Sequence, residues 1–173
     1  MRSKDPFFAD GRQVGFRPLY TPAQRLRRDT TSWTLVQGIL APVQVLIFLI
    51  SLTLVLRYLA TGHGAFAASV SIVIKTCTLY AIMLTGSIWE KVVFGKWLFA
   101  APFFWEDVVS MLVLALHTAY LVAFFGGLGT DHGRMLIALA AYASYAVNAT
   151  QFVLKLRTAR LQGSVQPHLA MAA

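Results

Sequence analysis

The chain has 173 residues, of which 57% are hydrophobic and only 13% charged, with a mean hydropathy of +0.63. Soluble domains carry roughly 25% charged residues, so a chain this short has more apolar surface than one globular core can hide, and lipid must cover the excess. The formal net charge of +8 flanks apolar runs and forms no basic stripe on a soluble face; this argues against nucleic acid and for anionic headgroups, where each cation contributes about 1 kcal/mol.

Residues 1–19 are polar, with Gly11, Gly15 and Pro18, and read as a flexible cytoplasmic tail. Thr21-Pro22-Ala23-Gln24 matches a capping box with proline at the first helical position. Arg25, Arg27 and Arg28 follow, and the pattern predicts a short interfacial helix gripping headgroups. No cleavable signal peptide is expected, because the first apolar run starts late and is too long for one; it acts as an uncleaved anchor. The single cysteine, Cys77, lies inside an apolar run, which excludes an intramolecular disulfide and a cysteine metal cluster.

Four apolar spans are expected at about 33–60, 67–90, 103–125 and 135–156. Each meets the roughly 20 residues needed to cross a hydrocarbon core. Thr61-Gly62-His63-Gly64 and Gly126-Gly127-Leu128-Gly129 separate the outer pairs. Lys91 and Lys96 lie between spans two and three, and Lys155, Arg157 and Arg160 end span four, whereas the other loops carry only Arg134 at an edge. The excess of Lys and Arg marks the cytoplasmic side, so both termini and the middle loop are expected there. Trp89, Trp97 and Trp105 fit an aromatic belt at that interface. Lys75 and Arg57 are expected to snorkel towards the opposite interface. The expected fold is all-α: a polytopic integral membrane four-helix bundle with an N-terminal interfacial helix. It is organised as a tail (1–19), a single membrane domain (20–160) and a C-terminal cytoplasmic tail (161–173).

Three of the seven acids, Glu90, Glu106 and Asp107, cluster at one membrane face. Carboxylates at membrane depth are costly and usually face a bundle interior or water. Glu106 and Asp107 suit a helix N-terminus, and that structural role alone accounts for them. Glu90 sits near a helix C-terminus, where the dipole and desolvation both disfavour its charge. A carboxyl that keeps its proton can act as a general acid, with Glu106 or Asp107 ionised as base; such divergent environments mark acid and base pairs. His117 lies eleven positions after Glu106, about three turns on the same face and about 16 Å along the axis. It can ligate a central magnesium or iron, or simply pack by hydrogen bonding. Asn148, Gln151 and Lys155 share a polar face of span four, and Gln37 and Gln44 lie two turns apart in span one; small and amide residues commonly glue membrane helices. No nucleotide loop, His-Glu-x-x-His or nucleophile elbow is present.

Several blocks carry a resemblance. They are 19–29 (Leu-Tyr-Thr-Pro-Ala-Gln-Arg-Leu-Arg-Arg-Asp), 33–44 (Trp-Thr-Leu-Val-Gln-Gly-Ile-Leu-Ala-Pro-Val-Gln), 87–95 (Ser-Ile-Trp-Glu-Lys-Val-Val-Phe-Gly) and the run from Phe103 through Trp105-Glu106-Asp107 and His117 to Tyr120. In order, over residues 19–160, the chain resembles the 3-vinyl bacteriochlorophyllide hydratases of anoxygenic phototrophs. The resemblance implies a hydro-lyase that adds water to the C3-vinyl group of chlorophyllide a, giving the 3-(1-hydroxyethyl) pigment on the way to bacteriochlorophyll a. It implies no cofactor, the magnesium being part of the substrate, and a multi-pass protein of the bacterial inner (intracytoplasmic) membrane. Its partners would be the chlorophyllide-type pigment and the lipid bilayer, with neighbouring pigment-biosynthesis enzymes or a second copy of the chain left open.

The residue inventory suits this chemistry: Glu90 as acid, Glu106 or Asp107 on the water, and His117, Trp89, Trp105, Asn148 and Gln151 as pigment contacts. No metal site of the protein's own is expected. Two rivals stand beside it. One is a non-catalytic chlorin-binding or assembly subunit; the other is a proton-coupled transporter, for which Lys75, Glu90 and His117 form a poor line.

Overall fold

The structure, a computed structural model, describes residues 19–170, with side chains described through residue 159. Residues 1–18 and 171–173, which include most of the expected N-terminal tail, lie outside the described residues. Among the described residues the regular elements are five helices: α1 (Pro22–Thr30), α2 (Ser32–Thr61), α3 (Ala65–Phe94), α4 (Phe104–Phe125) and α5 (Asp131–Ala170).

Local chemistry sets the helix ends. The capping box forms as expected: the Gln24 N–H donates to Thr21 Oγ1 at 3.3 Å, and the Thr21 N–H donates to Gln24 Oε1 at 2.9 Å. Extended Thr31 ends α1 and caps α2, accepting from the Trp33 N–H. Gly62 at φ 72° closes α2 and Gly95 at φ 80° closes α3, in the left-handed region that glycine enters at little cost. The helices run longer than the hydropathy spans. α3 continues a full turn beyond Glu90, and α5 begins at Asp131 and extends through residues expected to form the C-terminal tail.

α2–α5 are each long and apolar enough to cross a membrane, the fourth span covering Asp131–Ala159. At most 33% of each span's apolar window is buried by protein, and side chains such as Leu35, Phe66 and Phe125 stand exposed. That uncovered surface requires hydrocarbon, so the chain is a multi-pass membrane protein. α2 packs along α3 and α4 along α5; the two hairpins meet chiefly through α2 with α5 and α3 with α4. α1 folds under the end of α3, with Tyr20 stacked on Phe94 at 5.7 Å and Arg28 over the Tyr20 ring at 4.7 Å.

The core has three layers. Val55, Ile72, Tyr120, Met135 and Tyr142 fill the end nearest the glycine-rich loops, Leu79, Val113 and Tyr145 the middle, and Tyr20, Val93 and Phe103 the end bearing α1. Hydrogen-bonded polar pairs thread these layers: Ser51 with Ser71 (2.7 Å) and Tyr142 (2.5 Å), Gln37 with Thr85 (2.7 Å), and Asn148 with Ser110 (2.8 Å). In hydrocarbon such groups find partners across helices because water is absent.

Lys75 departs from expectation. It does not snorkel: it is fully buried, donates to Gln44 Oε1, and lies 3.6 Å from the Tyr145 ring centroid. The amide acceptor and aromatic face of neighbouring helices are nearer than either interface, and together they replace its hydration. Arg57 is exposed. Lys75→Met strands the Gln44 acceptor and is expected to cost about 1–3 kcal/mol, whereas Lys75→Met with Gln44→Leu recovers most of that; unfolding in detergent micelles measures both.

Candidate functional site

The acids gather where α3 ends and α4 begins, at one end of the bundle, beneath the connecting segment 95–103. Glu90 enters from α3, one turn before Gly95. Glu106 and Asp107 enter from the first turn of α4. All three are buried.

Glu90 and Asp107 face each other. Their carboxyl groups are close enough to interact electrostatically, and two like charges buried side by side are costly, so the pair favours the state that keeps one proton. Each also accepts from the connecting segment. The Ala100 N–H donates to Glu90 Oε2 at 3.1 Å, and the Phe99 N–H donates to Asp107 Oδ2 at 2.8 Å. Two successive backbone donors thus cap two carboxyls from different helices. Phe99 adopts φ 57° to present them, the single positive-φ non-glycine position among the described residues.

Glu106 points elsewhere. Its Oε2 lies 2.5 Å from Lys155 Nζ of α5, which also donates to the Pro102 carbonyl and lies over the Phe103 ring at 5.1 Å. The cluster therefore contains a Glu106–Lys155 ion pair beside the buried carboxyls of Glu90 and Asp107. The expected nearness of the three acids holds in space, and their division of labour is sharper than the chain order implied. In sequence Lys155 reads as a cation ending span four and as one member of a polar face with Asn148 and Gln151, and neither reading pairs it with Glu106. The Phe99 and Ala100 donors had no sequence signal, because neither residue type favours that backbone.

The remaining candidates lie at different depths. Trp89 is half-buried, donates Nε1–H to Thr34 Oγ1 at 2.9 Å, and packs edge-on against Phe94 and Phe103 at 5.7 Å. It is an internal brace and not a lipid-facing belt residue. Trp105 and Trp97 are 69% and 59% exposed and suit the belt. Asn148 donates to Ser110 one turn from Asp107, but its Oδ1 and the Gln151 Oε1 are buried without a hydrogen-bond partner. Gln151 also lines a shallow apolar trough of about 370 Å³ on α5, with Ala146, Val147, Thr150 and Leu154.

His117 is fully buried on the same stripe of α4 as Glu106, Ser110 and Val113. Its Nδ1 lies 2.8 Å from the Val113 carbonyl. A carbonyl only accepts, so Nδ1 carries the proton, and the neutral ring leaves a lone pair on Nε2, which has no partner. That is the tautomer a metal ligand needs. Among the described residues, no three His, Cys, Asp or Glu side chains group around a metal position.

Comparison with known proteins adds the following. Residues 20–158 match the family model described as 2-vinyl bacteriochlorophyllide hydratase. A 2-vinyl bacteriochlorophyllide hydratase of Cereibacter sphaeroides is 67% identical over 146 residues, covering 84% of this chain and 90% of the relative. One of Rhodobacter capsulatus is 62% identical over 148 residues, covering 86% of each. No solved structure matches the chain.

The ion pair beside the acids yields a stability test. Lys155→Met leaves Glu106 uncompensated and is expected to cost about 2 kcal/mol, below the cost of breaking a fully buried pair because Lys155 keeps some solvent. Arg157→Met, two residues on and exposed, should move stability by less than about 0.5 kcal/mol. Paired denaturation curves of the two variants check the difference.

Proposed function

The chain belongs to the 2-vinyl bacteriochlorophyllide hydratase family, and from that premise we propose how its buried carboxyls hydrate the pigment's vinyl group. It is a hydratase of bacteriochlorophyll biosynthesis, a hydro-lyase acting on a bacteriochlorophyllide-type pigment. The family description places the vinyl group at position 2 in the older peripheral numbering, which is position 3 in the systematic one. Chlorophyllide a is the specific substrate proposed, with the 3-(1-hydroxyethyl) pigment as product.

The observation that carries the mechanism is the burial of the Glu90 and Asp107 carboxyls under two successive backbone N–H donors, which favours one proton on the pair. Hydration of a vinyl group needs a proton delivered to the terminal carbon and another taken from water. Glu90 gives its proton to the terminal carbon, and the π electrons form the new C–H bond. The cation left on the inner carbon is delocalised into the macrocycle. Water attacks that carbon, and Asp107 takes the proton released as the C–O bond forms. The pair has then moved one proton from Glu90 to Asp107, and transfer between the two neighbouring carboxyls returns it. No redox step occurs and the atoms balance as one added water. Glu106, neutralised by Lys155, holds the electrostatics of the pair constant and orients the water.

A flat apolar pigment suits an interhelical setting with few convergent polar groups. In this reading Trp105 flanks the macrocycle edge and Trp89 braces the Phe94 and Phe103 rings behind it, while Asn148 and Gln151, each with a free buried oxygen, hold water beneath the acids. His117 lies about 16 Å along α4 from Glu106, farther than a chlorin's central magnesium lies from its own vinyl group. It can therefore serve the pigment's magnesium only in a deeper pose, distinct from the reacting one. The metal belongs to the substrate, and the proposed protein machinery uses no cofactor.

The charge pattern supports an inner-membrane protein with both termini and the 95–103 segment in the cytoplasm. On that topology, with Cys77 replaced by serine, His63→Cys should react with an impermeant maleimide from the periplasmic side, and Lys96→Cys only after permeabilisation. The reverse labelling pattern would invert the bundle and move the acids to the other face.

Glu90→Gln and Asp107→Asn each keep an acceptor for the connecting segment while removing the transferable proton. Each should lower turnover by about 10²- to 10⁴-fold, read as mass gain by the pigment in heavy-oxygen water. Their burial equally suits a chlorin-binding or assembly subunit. Pigment binding by the native chain without incorporation of labelled water would favour that alternative.

A further inference from the structure

We propose that the segment between Gly95 and Pro102 is a lid over the acid centre, that its exposed rings first receive the planar macrocycle, and that the pigment opens it. The inference rests on the reading of Glu90 and Asp107 as the reacting groups.

As the chain is folded, neither carboxyl can reach a vinyl carbon. Glu90 is 5% and Asp107 3% exposed, and their remaining surface is taken by the Ala100 and Phe99 N–H groups. What covers them is a short stretch of backbone, not packed helix. Phe99 holds φ 57°, a conformation that costs a bulky side chain roughly 1–2 kcal/mol of left-handed strain. Strain of this kind persists only where surrounding contacts over-determine it. Here those contacts are the bonds to the two acids. Opening breaks those bonds and frees the acids, so a pigment that binds the open form and engages the acids shifts the segment towards it.

Both ends of the segment are built as pivots. Gly95 sits at φ 80° with open space where a side chain would stand. Pro102 is pinned through its carbonyl by Lys155, and the adjoining Phe103 ring stacks on Phe152 at 5.9 Å. Between them the segment carries Trp97 and Phe99, 59% and 38% exposed, and Phe99 meets Phe104 at 5.8 Å. Trp105 continues the same aromatic surface. Such rings at a membrane interface present flat faces to a flat macrocycle, directly above the groups that act on its edge. Lid release at this site also admits water from the interface, which the reaction consumes.

A pair of substitutions at one position separates backbone conformation from loss of the ring. Phe99→Ala and Phe99→Gly both remove the aromatic side chain, but glycine alone adopts the latched backbone without strain. With the full-length protein in lipid nanodiscs, Phe99→Gly should hold the lid shut about fivefold or more relative to Phe99→Ala. Hydrogen exchange at the amides of residues 99 and 100 should slow by that factor, and kcat/KM for chlorophyllide a should fall in parallel. Equal exchange and equal kcat/KM in the two variants would show a fixed segment and overturn the lid. Unequal exchange with equal kcat/KM would show a segment that opens without admitting pigment, and overturn its docking role. If Glu90→Gln and Asp107→Asn retain full activity, the acid reading itself fails, a result read without reference to the Phe99 pair.

Discussion

The structure turns on two carboxyls buried together where two helices are joined at one end of the bundle. Glu90 sits in the last turn of α3, where the helix dipole repels a negative charge, and Asp107 in the first turn of α4, where the dipole welcomes one. Buried together they cannot both be ionised without a large desolvation cost. Keeping one proton on the pair lowers that cost, and the two groups stand where one helical hairpin meets the other. The same oxygens take two consecutive N–H groups from the connecting segment, so backbone donors that could not be left bare at membrane depth are satisfied by the same pair. Helix junction, loop conformation and reactive group are one arrangement.

The rest of the bundle is consistent with a fold that expects lipid on its outside. Apolar burial is modest, and cross-helix polar pairs provide specificity: Ser51 with Tyr142, Gln37 with Thr85, Asn148 with Ser110, Lys75 with Gln44. These pairs connect α2 to α3, α2 to α5 and α4 to α5, so they set the register of helices whose outer faces are almost uniformly apolar. The hairpins are tied at several depths, by Ser51 with Tyr142, by Lys75 over Tyr145, and at the acid end where α3 leads into α4. A small enzyme for a flat pigment gains from this: a rigid pair of hairpins can hold two carboxyls in register while a short segment between them remains free to change shape.

Much of this was legible beforehand because it depends on local composition and periodicity. The four spans, the capping box at Thr21, the stripe of α4 from Glu106 to His117 and the grouping of Glu90 with Asp107 all follow from helical geometry and from an even number of crossings. Lys75 was not legible. From sequence a lysine in an apolar span has its nearest water at an interface, and only the neighbouring helices reveal that Gln44 and Tyr145 stand closer. Trp89 was misread for a similar reason: an interfacial tryptophan looks the same in sequence whether it faces lipid or braces Phe94 and Phe103.

Sequence by itself pointed to four membrane spans and to the family the chain joins, because hydropathy and the order of recognisable blocks are one-dimensional quantities. Tertiary structure alone decided which acid pairs with which: Glu106 with Lys155, Glu90 with Asp107. Adjacent residues at a helix start point about 100° apart, so Glu106 and Asp107 meet different neighbours although the chain presents them side by side. It also decided that Phe99, with no feature to mark it, bends into a left-handed turn to close over the pair, since that conformation is stable only against carboxyls brought there from two other parts of the chain.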